Sequence, residues 1–147
     1  MKHLELLIER YPALAVCESE IKRAIEAIIA CYERGGKLLL CGNGGSCADC
    51  DHIVGELMKG FLKKRPLSAE QKEEMKANCP TVSEELLSLL QCGLPAISLP
   101  AITALGSAFA NDVDPELAYA QAAFALGREG DAMIAISTSG NAKNVCE

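Results

Sequence analysis

The sequence predicts an α/β fold with a parallel sheet covered by helices on both faces. Two observations carry this prediction. Short, uninterrupted apolar runs, Lys37-Leu-Leu-Leu-Cys41, Ala96-Ile-Ser-Leu-Pro-Ala101 and Ala132-Met-Ile-Ala-Ile-Ser137, are punctuated by glycine or proline, as strands buried on both faces require. Segments with helical spacing separate them, and strands alternating with helices close most readily into parallel βαβ units.

Along the chain, residues 19–33 form the clearest helix. Ile21, Ile25, Ile28, Ile29 and Tyr32 recur on one face, Glu20, Lys22, Arg23 and Glu26 look away, and Gly35-Gly36 ends it. After the first strand comes the turn Gly42-Asn-Gly-Gly-Ser46, and helical spacing resumes over 47–62 through Ile53, Leu57, Met58 and Phe61. Residues 63–93 are polar, with box signatures Ser68/Gln71 and Thr81/Glu84 that predict two short helices, an excursion from the main layers. Pro100 limits the second strand. Asp114-Pro115 opens a helix running to about Leu126, with proline in its first position. The third strand, expected to be buried, leads through Ser137-Thr-Ser-Gly-Asn141 into a helix left unfinished at Glu147, so the chain is expected to be part of a larger domain.

Composition narrows the function. The 147 residues carry a net charge of −6, which argues against a nucleic-acid partner that needs a basic face. The one basic cluster, Lys59, Lys63, Lys64 and Arg65, is expected to be a solvated surface. No run reaches the roughly 20 apolar residues of a membrane span, and charges within MKHLELLIERYP exclude a secretory signal. Eight cysteines scattered along the chain, several inside apolar runs, are expected to be reduced thiols of a cytoplasmic protein.

Two turns suggest a phosphate site. In GNGGS, glycines let the backbone approach an anion, helix-start amides point at it, and Ser46 adds a hydroxyl. Alone, this loop reads equally well as a tight turn. STSGN repeats the arrangement with Ser137, Thr138 and Ser139, and a parallel sheet puts both turns at its carboxyl edge, where ligands of open α/β sheets bind. Asp49, His52 and Glu56 share one face of the intervening helix. They are either a solvated polar face or a metal and acid–base pair beside the phosphate. Cys47-x-x-Cys50 is half a zinc site without a second pair, so structural cysteines are expected there.

GNGGS, a helix with His52 and Glu56 four apart, Asn111-Asp112, GREGD and ISTSGN together resemble the sugar isomerase (SIS) domain, and within it the phosphoheptose isomerases, from about residue 19 to 147. The resemblance implies one SIS domain over 1–147, partial at its C-terminus. It implies a three-layer α/β/α sandwich of flavodoxin-like type, assembled as a homotetramer or dimer and acting on a phosphorylated sugar. It assigns Asn43, Gly44, Gly45, Ser46, Asn111 and Asp112 to the substrate, and Ser137, Thr138 and Ser139 to its phosphate. His52 becomes a zinc ligand, and Glu56 a zinc ligand, substrate contact and catalytic base. Asp49 receives no role. Where the family's phosphate turn has a further serine, this chain has Ala142. The family's remaining metal ligands, a Gln and a His, lie on a late helix beyond residue 147, so zinc binding is expected to be weak or absent. A non-catalytic sugar-phosphate-binding module and a partner of the bacterial replication initiator are the alternative readings.

Overall fold

The computed structural model describes residues 2–147. The chain opens with α1 (Lys2–Arg10), a 3-10 turn (Pro12–Cys17) and α2 (Glu18–Glu33). The core unit follows as β1 (Leu38–Gly42), α3 (Gly45–Met58), α4 (Ala69–Asn78), α5 (Glu84–Leu89) and β2 (Ala96–Ser98). Then come α6 (Thr103–Asp112), α7 (Ala118–Leu126), β3 (Ala132–Ile136) and α8 (Lys143–Cys146). The strands form one parallel sheet in the order β2-β1-β3. Among the described residues no helix is long and apolar enough to cross a membrane.

Central position explains why all five residues of β1 are buried. Side chains alternate across a strand, so Leu38 and Leu40 face one layer and Leu39 and Cys41 the other. The first layer is α2 and α3, packing Ile28, Tyr32, Ile53, Val54 and Leu57 around buried Cys31 and Cys50. The second is α6, α7 and α8, packing Leu105, Tyr119, Ala123, Leu126 and Val145 around Leu39, Cys41 and Ala122. The expected three-layer α/β/α sandwich is therefore formed. At the opposite end of the sheet, Asp131 pins β3 to β1. Its carboxylate accepts from the Lys37 ammonium at 2.6 Å and the Lys37 amide at 2.9 Å, and these hydrogen bonds lower its pKa to about 2.

Several expectations need correction. β3 is only half-buried: Ala132, Ile134 and Ile136 pack on the α2–α3 side, whereas Met133, 46% exposed, and Ala135 lie on the face of Leu39 and Cys41, where among the described residues no helix covers this edge strand, a placement that its apolar run does not encode. The helix expected over 47–62 stops at Met58, where Lys59 turns extended and Gly60 N–H donates to Gln91 Oε1 at 2.8 Å; Phe61 is thus 72% exposed. Thr81 does not cap α5. Ser83 does, accepting from Leu86 N–H at 3.1 Å, which makes Glu84 the first helical residue and not the third. The Ser68/Gln71 box is present as expected. Asp114-Pro115 opens a 3-10 turn (Pro115–Leu117) ahead of α7, with Asp114 accepting from Glu116 N–H at 2.8 Å.

Arg65 is not a solvated basic residue. Its guanidinium donates to Leu57 O at 2.6 Å and Cys92 O at 2.7 Å, clamping the base of the 63–93 excursion beside the Pro66–Gln91 antiparallel bridge. Carbonyls at a chain junction need donors, and Arg65 supplies two.

Candidate functional site

The site is built at the carboxyl end of the sheet. From adjacent strands, α3 departs to one face and α8 to the other, which opens the crevice of a topological switch point between β1 and β3, where such folds bind ligands. Gly44, at φ 55°, turns the chain into α3 through a left-handed conformation that glycine adopts without penalty. Gly42 is required for a different reason. A Cβ there would lie 2.9 Å from Ser46 Cβ and 3.0 Å from Ile136 O, so its absence lets α3 start against both strands.

This close approach brings the two predicted turns together. Asn43, Ser46, Ile136, Ser137, Thr138, Ser139 and Ala142 line one hollow of about 160 Å³. Ser46 is only 6% exposed, yet its hydroxyl has no hydrogen-bond partner among the described residues, and neither does that of Thr138. Ser137 Oγ and Ser139 Oγ lie 3.4 Å apart, and Ser139 Oγ accepts from Asn141 N–H at 3.2 Å. The Ser46 hydroxyl lies in the first turn of the 14-residue α3, at the positive end of its dipole, a setting that favours an anion. A second cavity of about 390 Å³ lies on the β2 side, with Gly44, Cys47, Leu99, Ile102, Tyr119 and Asn144 in its wall. Asn43 belongs to both walls.

The other sequence-predicted residues lie outside these cavities. On α3 the stripe Ser46, Cys50, Ile53, Val54 and Leu57 turns inward, which leaves Asp49 and His52 exposed and Glu56 half-buried. The Glu56 carboxylate accepts from Lys59 Nζ at 3.2 Å. At 1.5 Å per residue its Cα is about 15 Å along the helix from that of Ser46. Asn111 and Asp112 end α6, exposed and bonded to each other at 2.8 Å. Gly45 is exposed on the first turn of α3 with open space before it. Among the described residues no group of three or more His, Cys, Asp or Glu side chains is placed to hold a metal ion. His52 and Glu56 are two donors, fewer than a protein zinc site uses.

The Cys47-x-x-Cys50 pair is split between environments. Cys47 is half-buried at the second cavity, whereas Cys50 is fully buried and burial pushes its thiol up to about 11. Cys41 is raised for the same reason. All eight cysteines are free.

Sequence reasoning missed Tyr119 and Asn144. The one available signal for Tyr119 was a lone polar-tipped aromatic in the alanine-rich start of α7; Asn144 had only its place two residues after Ala142.

The family model described as the SIS domain matches residues 13–85. The phosphoheptose isomerase of Laribacter hongkongensis is 35% identical over 144 residues, covering 98% of this chain and 60% of that protein. That of Desulfovibrio desulfuricans is 40% identical over 118 residues, covering 80% and 44%. Among solved structures, the Neisseria gonorrhoeae phosphoheptose isomerase superposes with a TM-score of 0.64 at 28% identity, covering 98% of this chain and 58% of that one. A phosphoheptose isomerase from Francisella tularensis gives 0.63 at 26%, covering 99% and 66%. The chain thus spans between about two-fifths and three-fifths of the length of these two relatives. With this sequence match and this shared architecture, the chain belongs to the SIS domain family.

Proposed function

We propose that the chain forms the phosphate-gripping part of a sugar-phosphate aldose–ketose isomerase, interconverting sedoheptulose 7-phosphate and D-glycero-D-manno-heptose 7-phosphate. One observation carries the reading: Ser46 and the Ser137–Ser139 hydroxyls line a common hollow at the switch point. The phosphate sits there, and the sugar runs along α3 toward Glu56. Glu56 acts as the base: it takes the proton from the carbon beside the carbonyl, leaving an enediol, and returns it to the neighbouring carbon. For this the carboxylate must leave Lys59, and Asn111 and Asp112 must meet the sugar.

Two donors on one helix, His52 and Glu56, support only weak zinc affinity. Exposed Val16, Phe124, Leu62 and Phe61, between 72% and 90% accessible, support self-association, as a homotetramer or dimer. Free thiols support a cytoplasmic setting.

A sugar-phosphate-binding module without turnover is the second reading, favoured by the Glu56–Lys59 pair and the distance of Glu56 from the hollow. One experiment separates them. Calorimetric titration with sedoheptulose 7-phosphate reads binding, and an isomerisation assay with and without added zinc reads turnover. Binding with little turnover by residues 1–147 is expected: turnover that rises with added zinc supports the isomerase, and binding with no turnover at any zinc concentration supports the module. Full turnover without added zinc overturns the weak-metal proposal, and absence of binding overturns both readings.

A further inference from the structure

The turn after β1 is tied to elements that the chain reaches only much later. The single hydroxyl proton of Tyr119, in the first turn of α7, is shared between Gly42 O at 2.8 Å and Asn43 Oδ1 at 3.1 Å. Asn144 on α8 exchanges amide bonds with the same side chain: Asn43 Nδ2 donates to Asn144 Oδ1 at 2.8 Å, and Asn144 Nδ2 donates to Asn43 Oδ1 at 3.0 Å. Asn43 is an exposed residue on a surface turn, and folding alone does not require such a side chain to be held by three contacts. What they give is a fixed rotamer, at the residue that divides the small polar hollow from the larger cavity. Burial pushes the Tyr119 phenol upward, so it keeps its proton at neutral pH.

We infer that Tyr119 and Asn144 are positioning residues that lock Asn43 in a ligand-ready orientation before the sugar phosphate arrives. The inference rests on the sugar-phosphate reading above. A preordered side chain avoids the entropy cost of being immobilised on binding, an effect of roughly two- to tenfold in affinity for one such group.

The test is a double-mutant cycle. Wild type, Y119F, N43A and Y119F/N43A are titrated with sedoheptulose 7-phosphate by calorimetry. Y119F is expected to bind roughly two- to tenfold more weakly, to melt within a few degrees of wild type, and to add nothing once Asn43 is alanine. A merely structural role would make the two losses additive. Undiminished binding by Y119F, or full additivity, overturns the inference. A second readout needs no ligand. The Asn43 side-chain amide should give a dispersed, slowly exchanging ¹⁵N–¹H pair in wild type that collapses toward free-asparagine shifts in Y119F and in N144A. An unchanged pair would overturn the inference. If wild type binds no sugar phosphate, the functional reading fails, while the amide signal still decides whether Tyr119 holds Asn43.

Discussion

Replacing Ser46 by alanine separates binding from folding more cleanly than any other change at this site. Ser46 is 6% exposed, and its Oγ has no protein partner among the described residues. Its Cβ already sits against Gly42, so alanine keeps the packing and removes only an unpaired hydroxyl. The hydroxyl opens onto the hollow, so the fold loses nothing and stability should stay within about 0.5 kcal/mol of wild type. Binding, by contrast, should fall. A hydrogen bond to a charged group is worth about 1.5–3 kcal/mol, so S46A should bind a sugar phosphate roughly 10- to 150-fold more weakly. Urea unfolding and calorimetric titration on the same preparation check both halves. Binding within twofold of wild type would refute the assignment of Ser46 to the phosphate. A stability loss above about 2 kcal/mol would refute the claim that its hydroxyl is idle in the fold.

Three further changes probe the frame. Gly42→Ala would force a Cβ to 2.9 Å from Ser46 Cβ and 3.0 Å from Ile136 O, and overpacking of this kind should cost about 1–3 kcal/mol in denaturant unfolding. Ser98 Oγ is buried without a hydrogen-bond partner, so S98A should leave stability unchanged or raise it by up to about 1 kcal/mol; a clear loss would mean that the hydroxyl has a partner. Asp131 titrates at about 2 in the fold against an ordinary 3.8, because the Lys37 ammonium and amide hold its charged form. Its stabilisation is therefore complete above about pH 4 and lost as pH falls through about 2. Unfolding followed between these pH values should steepen for wild type and flatten for D131N.

How legible the molecule was depends on how local each cause is. The first strand and α3 are readable because Lys37–Cys41 is one apolar run and Ile53 and Leu57 recur at helical spacing within a single segment, although Met58 and Phe61, which complete that spacing, are exposed. The joining of GNGGS to STSGN was readable because a parallel sheet sends both turns to one edge. By contrast, α6 was not foreseen: Thr103–Asp112 is rich in Ala, Gly and Ser, and small residues give periodicity little to act on. α1 carries a legible signal, Leu4, Leu7 and Ile8 at helical spacing, that a reading of the segment for its charges alone passes over. Edge placement of β3 follows from strand order, and the inward turn of Arg65 from carbonyls of Leu57 and Cys92 that only the folded excursion brings near. Tyr119 and Asn144 reach Asn43 across 76 and 101 positions, and nothing in a one-dimensional pattern links them. The residues taken from family resemblance divide in the same way. Asn43, Ser46, Ser137, Thr138 and Ser139 of the two turns converge on one hollow, Gly44 lines the second cavity, and Gly45, His52, Glu56, Asn111 and Asp112 stand outside both.

The most direct measurement of the account is a crystal structure of the chain soaked with sedoheptulose 7-phosphate. Phosphate density within hydrogen-bond distance of Ser46 Oγ and of the Ser137–Ser139 hydroxyls is the predicted result, with the sugar lying along α3. Phosphate bound elsewhere, or an empty hollow at saturating ligand, would contradict it.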